Sequence, residues 1–188
     1  MTGATTTGGA PDGGAGTAGY REAEPVRLAA GHAAALLAFE RENRAWFAAS
    51  VPDRGDAYFA SFAERHAALL AEQEAGLCRF HLLFDADGAV LGRINLVDLA
   101  DGGAELGYRL AERATGRGLA TAAVRRICVR AAEDYGLTHL TAVTTEDNTA
   151  SQRVLLRAGF AITGPATVAG RPGTAYRKEL TAPAPEPR

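Results

Sequence analysis

The sequence is poor in the residues that staple or metallate a chain: two cysteines, four histidines, one tryptophan and one methionine among 188 residues. Cys78 and Cys128 stand far apart in apolar, patterned segments, which reads as two buried free thiols in a reducing cytoplasm rather than a disulfide or metal pair. The histidines and cysteines show no ligand spacing, so no metal is expected. No G-x-S-x-G is present, which argues against a serine hydrolase, and no G-x-x-x-x-G-K-S/T, which argues against a P-loop. No apolar window could span a bilayer, and the start lacks the basic and apolar blocks of a signal peptide, so no membrane partner is expected. A formal net charge of -2 argues against a general nucleic-acid binder.

What is present suits one globular domain, because 47% of the residues are hydrophobic. Residues 1–22 are mostly Gly, Thr and Ala, and residues 181–188 alternate Pro and Ala; neither can bury enough surface to fold alone, so both read as disordered tails around a domain at 23–180. No internal repeat is visible.

A short strand is expected at Pro25 to Leu28, then a helix from His32 to Phe47 ended by Val51-Pro52, and a second helix from Asp56 to Ala75 with Phe59, Phe62, His66 and Leu69 on a stripe. Cys78 to Phe84 and Val90 to Leu99 form an antiparallel hairpin around Asp85-Ala86-Asp87-Gly88. A last hairpin joins Phe160 to Val168 with Thr174 to Leu180 through Gly170-Arg171-Pro172-Gly173.

Between the hairpins lies the most informative stretch, Ala104 to Phe160. A strand to Leu110 puts Glu105, Gly107 and Arg109 on one face and Leu106, Tyr108 and Leu110 on the other. Gly116-Arg117-Gly118 then turns into a long helix reaching about Tyr135, and free N–H groups at such a helix start bind anions. Gly136 ends the helix, and Leu137 to Thr144 follows as a strand parallel to the first. A dinucleotide site is a rival for this turn, with Glu146 or Asp147 as the ribose-binding acid. The turn lacks the third glycine of that fingerprint, and the flanking hairpins argue against a doubly wound sheet.

Thr115-Gly116-Arg117-Gly118-Leu119-Ala120-Thr121, a helix, a strand, and Asn148-x-x-Ser151-x-Arg153-Val154-Leu155, with Gly159-Phe160 closing the next helix, resemble the GNAT acetyltransferases, most closely the RimJ/RimL branch. The resemblance spans roughly Pro25 to Leu180. It implies an α+β fold in which a mixed, mostly antiparallel sheet carries helices on both faces and a splayed strand pair forms the cofactor site. It implies acetyl-CoA as cofactor, a monomer or homodimer, and transfer to an amine, with a protein N-terminal α-amine as the leading acceptor. A small-molecule amine and a non-catalytic acyl-CoA-binding module remain alternatives. Thr115 stands where the family has glutamine or arginine, a departure for which Arg113 is a candidate substitute.

By the same resemblance, Glu105 is the candidate general base and Ser151 the hydroxyl that meets the cofactor sulfur. Asn148 would bind the pantetheine arm, Leu110 and its neighbour Arg109 would offer N–H groups to the acetyl carbonyl, and Trp46, Phe47 and Tyr58 would wall the acceptor pocket. Each has a plainer reading: a strand glutamate paired with an arginine, a helix N-cap made by Asn148 and Ser151, and aromatic core packing. Arg117, Arg125 and Arg126 are candidates for the phosphates, although most arginines are solvated. His66 and His139 are weaker bases. The amine also matters: at pH about 7.5 an α-amine of pKa about 7.8 is roughly a third neutral, whereas a lysine of pKa about 10.4 is on the order of 0.1% neutral. A weakly equipped site therefore favours α-amines.

Overall fold

The computed structural model describes residues 22–49 and 51–181, so the expected tails, apart from residues 22 and 181, lie outside the described residues. Within the described residues seven strands form one sheet: β1 (Val26–Arg27), β2 (Arg79–Phe84), β3 (Val90–Ala100), β4 (Gly103–Leu110), β5 (His139–Thr145), β6 (Ala161–Val168) and β7 (Arg171–Glu179). They lie in the order β1-β2-β3-β4-β5-β7-β6, and the β4–β5 pair is parallel while the other pairs are antiparallel. This is the expected mixed, mostly antiparallel sheet.

Helices cover both faces. The N-terminal helices α1 (Ala33–Glu42), α2 (Arg44–Ala48), α3 (Gly55–Ala60) and α4 (Phe62–Glu74) lie between β1 and β2 in the chain, and Glu40 of α1 reaches the face carrying Arg93 through an ion pair. On the other face lie α5 (Leu119–Glu133) and α6 (Thr149–Arg157); Tyr135, just past α5, meets His81, and Ser151 of α6 meets Tyr108. The packing follows from pattern: Leu119, Ala123, Val124, Ile127, Cys128 and Ala131 of α5 recur at helical spacing and are all buried. Beneath them Ile94 and Leu96 of β3 are sealed from solvent. Both cysteines are buried free thiols, as expected.

Three boundaries differ from expectation. The helix expected from His32 to Phe47 breaks at Asn43, whose amide donates to the Phe39 carbonyl at 2.9 Å and accepts the Glu112 N–H at 3.0 Å. Asparagine competes for backbone groups in this way, and here it ties the helix pair to the segment after β4. The helix expected from Asp56 to Ala75 is likewise broken at Ser61, whose hydroxyl donates to the Ala57 carbonyl at 2.9 Å. The last hairpin turns on Ala169-Gly170 alone, both with positive φ, so Arg171, Pro172 and Gly173 belong to β7.

Gly173 is required there by contact. A Cβ on it would stand 2.7 Å from the Thr144 carbonyl oxygen of β5 and 2.9 Å from Val168 Cγ2. Gly173→Ala is expected to force β7 off β5 and to cost about 1–3 kcal/mol of stability, read as a lower urea midpoint.

Candidate active site

The parallel ladder between β4 and β5 is short. Gly103 pairs with His139, Ala104 with Leu140 and Glu105 with Thr141, and there the register ends. Beyond Glu105 the two strands part, leaving the edge of β4 from Leu106 to Leu110 without a strand partner on that side among the described residues. The β3–β4 ladder decides which groups face the opening. Ala111 donates its N–H to the Leu91 carbonyl, so by antiparallel alternation Arg109 also faces β3, whereas Tyr108 and Leu110 direct their N–H groups into the fork. Of the two donors expected at the acetyl carbonyl, Leu110 is therefore suitably aimed and Arg109 is not.

A cleft of about 460 Å³, within the range of small-molecule sites, passes through this fork. Its wall runs from Trp46 and Phe47 of α2, past Tyr108, Arg109 and Leu110, to the start of α5 and along α6. On the α5 side stand Thr115, Gly116, Gly118, Leu119, Ala120 and Thr121. Gly116 and Gly118 have φ of 71° and 81°, and Gly118 is the N-cap of α5. Left-handed backbone at both positions is natural to glycine and turns the chain so that the first helical N–H groups face the cleft mouth. Among the described residues the first bond of α5 runs from the Ala122 N–H to the Gly118 carbonyl, which leaves the N–H groups of Leu119, Ala120 and Thr121 for an anion. The Thr115 hydroxyl donates to the Glu112 carbonyl at 2.8 Å. Among the described residues no atom beyond its chain neighbours lies within 4 Å of where a Gly116 Cβ would stand, so the turn is open above. The residues present thus fit a phosphorylated, extended cofactor.

On the α6 side Asn148 is the N-cap, its side-chain oxygen accepting the Ser151 N–H at 3.0 Å. That is the capping role foreseen as the plainer reading, yet both residues also line the cleft. The Ser151 hydroxyl lies 3.1 Å from the Tyr108 hydroxyl. Burial raises the Tyr108 phenol above its ordinary pKa, against the opposing effect of that hydrogen bond. Tyr108 had only a facing pattern in the sequence, alternating with Leu106 and Leu110; a hydroxyl on an otherwise apolar strand face was the signal available.

Glu105 does not line the cleft. It occupies the last paired position of β4, at the apex of the fork, on the face of Gly107 and Arg109. Burial first, and Asp98 second, push its carboxyl above the usual range. Tyr58 also lies off the wall, buried against Phe59 and Phe62 with the guanidinium of Arg54 4.5 Å from its ring. Trp46 and Phe47 do line the cleft.

The expected phosphate-side arginines are placed elsewhere. Arg125 donates to the Arg157 carbonyl at 2.6 Å, Arg126 pairs with Glu24, and Arg117 is not on the cleft wall. Arg113 pairs with Asp85 at 3.0 Å and does not substitute at the turn. The cations on the wall are Arg109, Arg153 and Arg157. His66 is buried and stacked on Phe62, with burial lowering its pKa, and His139 packs its ring over Gly103. Among the described residues no group of three or more His, Cys, Asp or Glu could hold a metal ion, and no helix is long and apolar enough to cross a membrane.

A family model described as an acetyltransferase (GNAT) domain matches residues 24–161. None of the curated proteins matches the chain by sequence. Among solved structures, the chain is similar to a ribosomal-protein-S5-alanine acetyltransferase from Vibrio fischeri, with 19% identity, a TM-score of 0.78, and coverage of 86% of this chain and 94% of that one. RimJ from Mycobacterium smegmatis, in complex with a CoA disulfide, shows 22% identity and a TM-score of 0.72 over 81% of this chain and 79% of its own. The microcin C7 self-immunity acetyltransferase MccE, in complex with acetyl-CoA and AMP, shows 17% identity and a TM-score of 0.71 over 83% of this chain and 91% of its own. At these identities the likeness is one of fold.

Proposed function

The chain belongs to the GNAT acetyltransferase family, and as an acetyl-CoA-dependent N-acetyltransferase it needs an amine acceptor, which we propose is the α-amine of a protein or peptide N-terminus. The observation that carries this choice is the charge of the cleft wall: Arg109, Arg153 and Arg157 line it and, among the described residues, no carboxylate does. Along such a wall a lysine ammonium, which at neutral pH is almost wholly charged, is repelled on its way to Glu105, whereas an α-amine arrives already about a third neutral at pH about 7.5. The RimJ and S5-alanine acetyltransferase likenesses agree with the choice.

Bound acetyl-CoA supplies an activated acetyl thioester whose sulfur leaves as a thiolate. The N–H groups at the start of α5 would hold its pyrophosphate, with Gly116 and Gly118 keeping side chains out of the way. The Leu110 N–H would bind the acetyl carbonyl where negative charge develops. Asn148 would fix the pantetheine arm. The Ser151 hydroxyl, held by the Tyr108 hydroxyl, would hydrogen-bond the leaving sulfur and so stabilise the thiolate, keeping its own proton. Glu105, at the fork apex, would take the amine's proton directly or through water. Its raised pKa suits that task, since a base closer to working pH is both partly ionised and strong enough. A cytoplasmic location, with Cys78 and Cys128 kept as thiols, fits this reading.

Thiol release from acetyl-CoA, measured against free N-terminal peptides, the same peptides with blocked N-termini, and small amines, tests the acceptor. Turnover of the free peptides alone is expected; turnover of the small amines alone would overturn the α-amine reading. Glu105→Gln is expected to lower turnover by on the order of 10²-fold while leaving acetyl-CoA affinity within about twofold. In the unaltered enzyme the rate should rise with pH through a value above the ordinary glutamate range, and the variant should lose that limb. A normal profile in the variant would place the base elsewhere.

A further inference from the structure

One face of β4 presents Glu105, Gly107 and Arg109 in alternation toward the N-terminal helices. Gly107 has no side chain, and among the described residues no atom beyond its chain neighbours lies within 4 Å of where its Cβ would be. The strand surface is therefore open between a carboxylate and a guanidinium whose Cα atoms are about 13 Å apart, four residues at ~3.3 Å each. Arg109 is held rather than waving. Its Nη1 donates to Glu40 Oε2 at 3.3 Å, and its Cζ sits 4.8 Å from the centre of the Phe47 ring.

Among the described residues the charge around it does not balance. Glu40 Oε1 accepts from Arg93 at 2.8 Å and has Arg54 at 4.0 Å, so one buried carboxylate serves three guanidinia. The next cation, Arg44, is taken up by Asp53 and Asp56. Arg109 is the member of the cluster that also lines the cleft. Burial, with Arg54 and Arg93 opposing its charge, brings its pKa down to about 10, so it stays cationic at neutral pH. A guanidinium has five N–H donors, and the contact with Glu40 uses one. A surplus charge that is only partly exposed is costly unless something completes it, and planar pairing with a carboxylate is what a guanidinium does best.

We propose that Arg109 sets acceptor specificity by binding a carboxylate of the amine substrate, which in an N-terminal peptide is the side chain of an acidic residue at the second or third position. The inference rests on the amine-acetyltransferase reading of the cleft and deepens it. An acceptor lying across Gly107 would place its amine toward Glu105 and its carboxylate on Arg109. The same chemistry could come from the α-carboxylate of a free amino acid.

Trp46 is the single tryptophan and lies on the cleft wall, so its fluorescence reports acceptor binding without turnover. In the presence of saturating CoA, a peptide beginning Ser-Asp is expected to bind on the order of tenfold tighter than one beginning Ser-Asn. Arg109→Gln should bring that ratio close to one, and Arg109→Lys should keep part of it; a purely structural role would lower both affinities and leave the ratio unchanged. Free alanine against alanine amide forms the second pair. A preference confined to this pair would support Arg109 as the carboxylate reader while removing the N-terminal source. Ratios near one in both pairs would overturn the proposal, and thiol release from the same peptides would show whether amine transfer stands without it.

Discussion

Gly118→Asp is expected to weaken acetyl-CoA binding by on the order of 10- to 100-fold while leaving the protein folded. Gly118 caps α5 with φ of 81°, a conformation costing a residue with a Cβ about 1–2 kcal/mol, although aspartate is among the residues that tolerate it best. An aspartate at a helix start also interacts favourably with the N–H groups there, offsetting part of the strain. The same carboxylate would occupy the site proposed for the pyrophosphate and repel it. Charge-assisted hydrogen bonds of about 1.5–3 kcal/mol are at stake, which sets the fold-change. Calorimetric titration with acetyl-CoA, alongside a thermal melt, separates the two effects. Unchanged affinity at unchanged stability would remove the anion site from the start of α5.

Glu40→Ala is expected to be the most destabilising single change, at about 3–5 kcal/mol. Glu40 is 2% exposed and joins α1 to β3 and β4 through Arg93 and Arg109. A well-packed apolar replacement of the whole cluster need not cost much. Removing the one carboxylate leaves guanidinia buried together, without their counterion and with their mutual repulsion unmasked. Urea unfolding measures the loss, and the Glu40→Ala/Arg93→Met pair should recover part of it, since the second change removes one of the stranded charges. A loss below about 1 kcal/mol would mean that solvent already screens the cluster.

The same cluster marks where sequence reading ran out. Glu40 and Arg93 are 53 positions apart, and Glu40 and Arg109 are 69 apart, so no local pattern links them. Tyr108 could be put on a face by alternation, but the hydroxyl it meets comes from α6, which only the fold brings there. Arg153 and Arg157 reach the cleft because α6 runs along its wall, whereas Arg125 and Arg126 of α5 find other partners. By contrast, β4, the glycine turn, α5 and the start of α6 were legible, because each rests on local chemistry: alternation, glycine at positive φ, helical apolar spacing and an asparagine cap. Two pairings around them were also within reach, since Asp85 to Gly88 announced the β2–β3 hairpin and a strand-helix-strand unit pointed to the parallel β4–β5 pair. The breaks at Asn43 and Ser61 were missed because apolar periodicity continued through both, and the side-chain bonds that interrupt the helices are short-range competitors that periodicity does not register. The final turn was misplaced by its glycines: Gly173 is demanded by the neighbouring strand, not by the turn.

One peptide with a free N-terminus and an internal lysine, incubated with isotopically labelled acetyl-CoA and the purified protein, puts both kinds of amine before the fork at once. Fragment mass spectrometry then locates the label. Acetyl on the α-amine, lost in Gly118→Asp at low acetyl-CoA, is the expected result. Label on the lysine, or none on a peptide whose N-terminus is free and suitably acidic, would contradict the assignment of this cleft to α-amine acetylation.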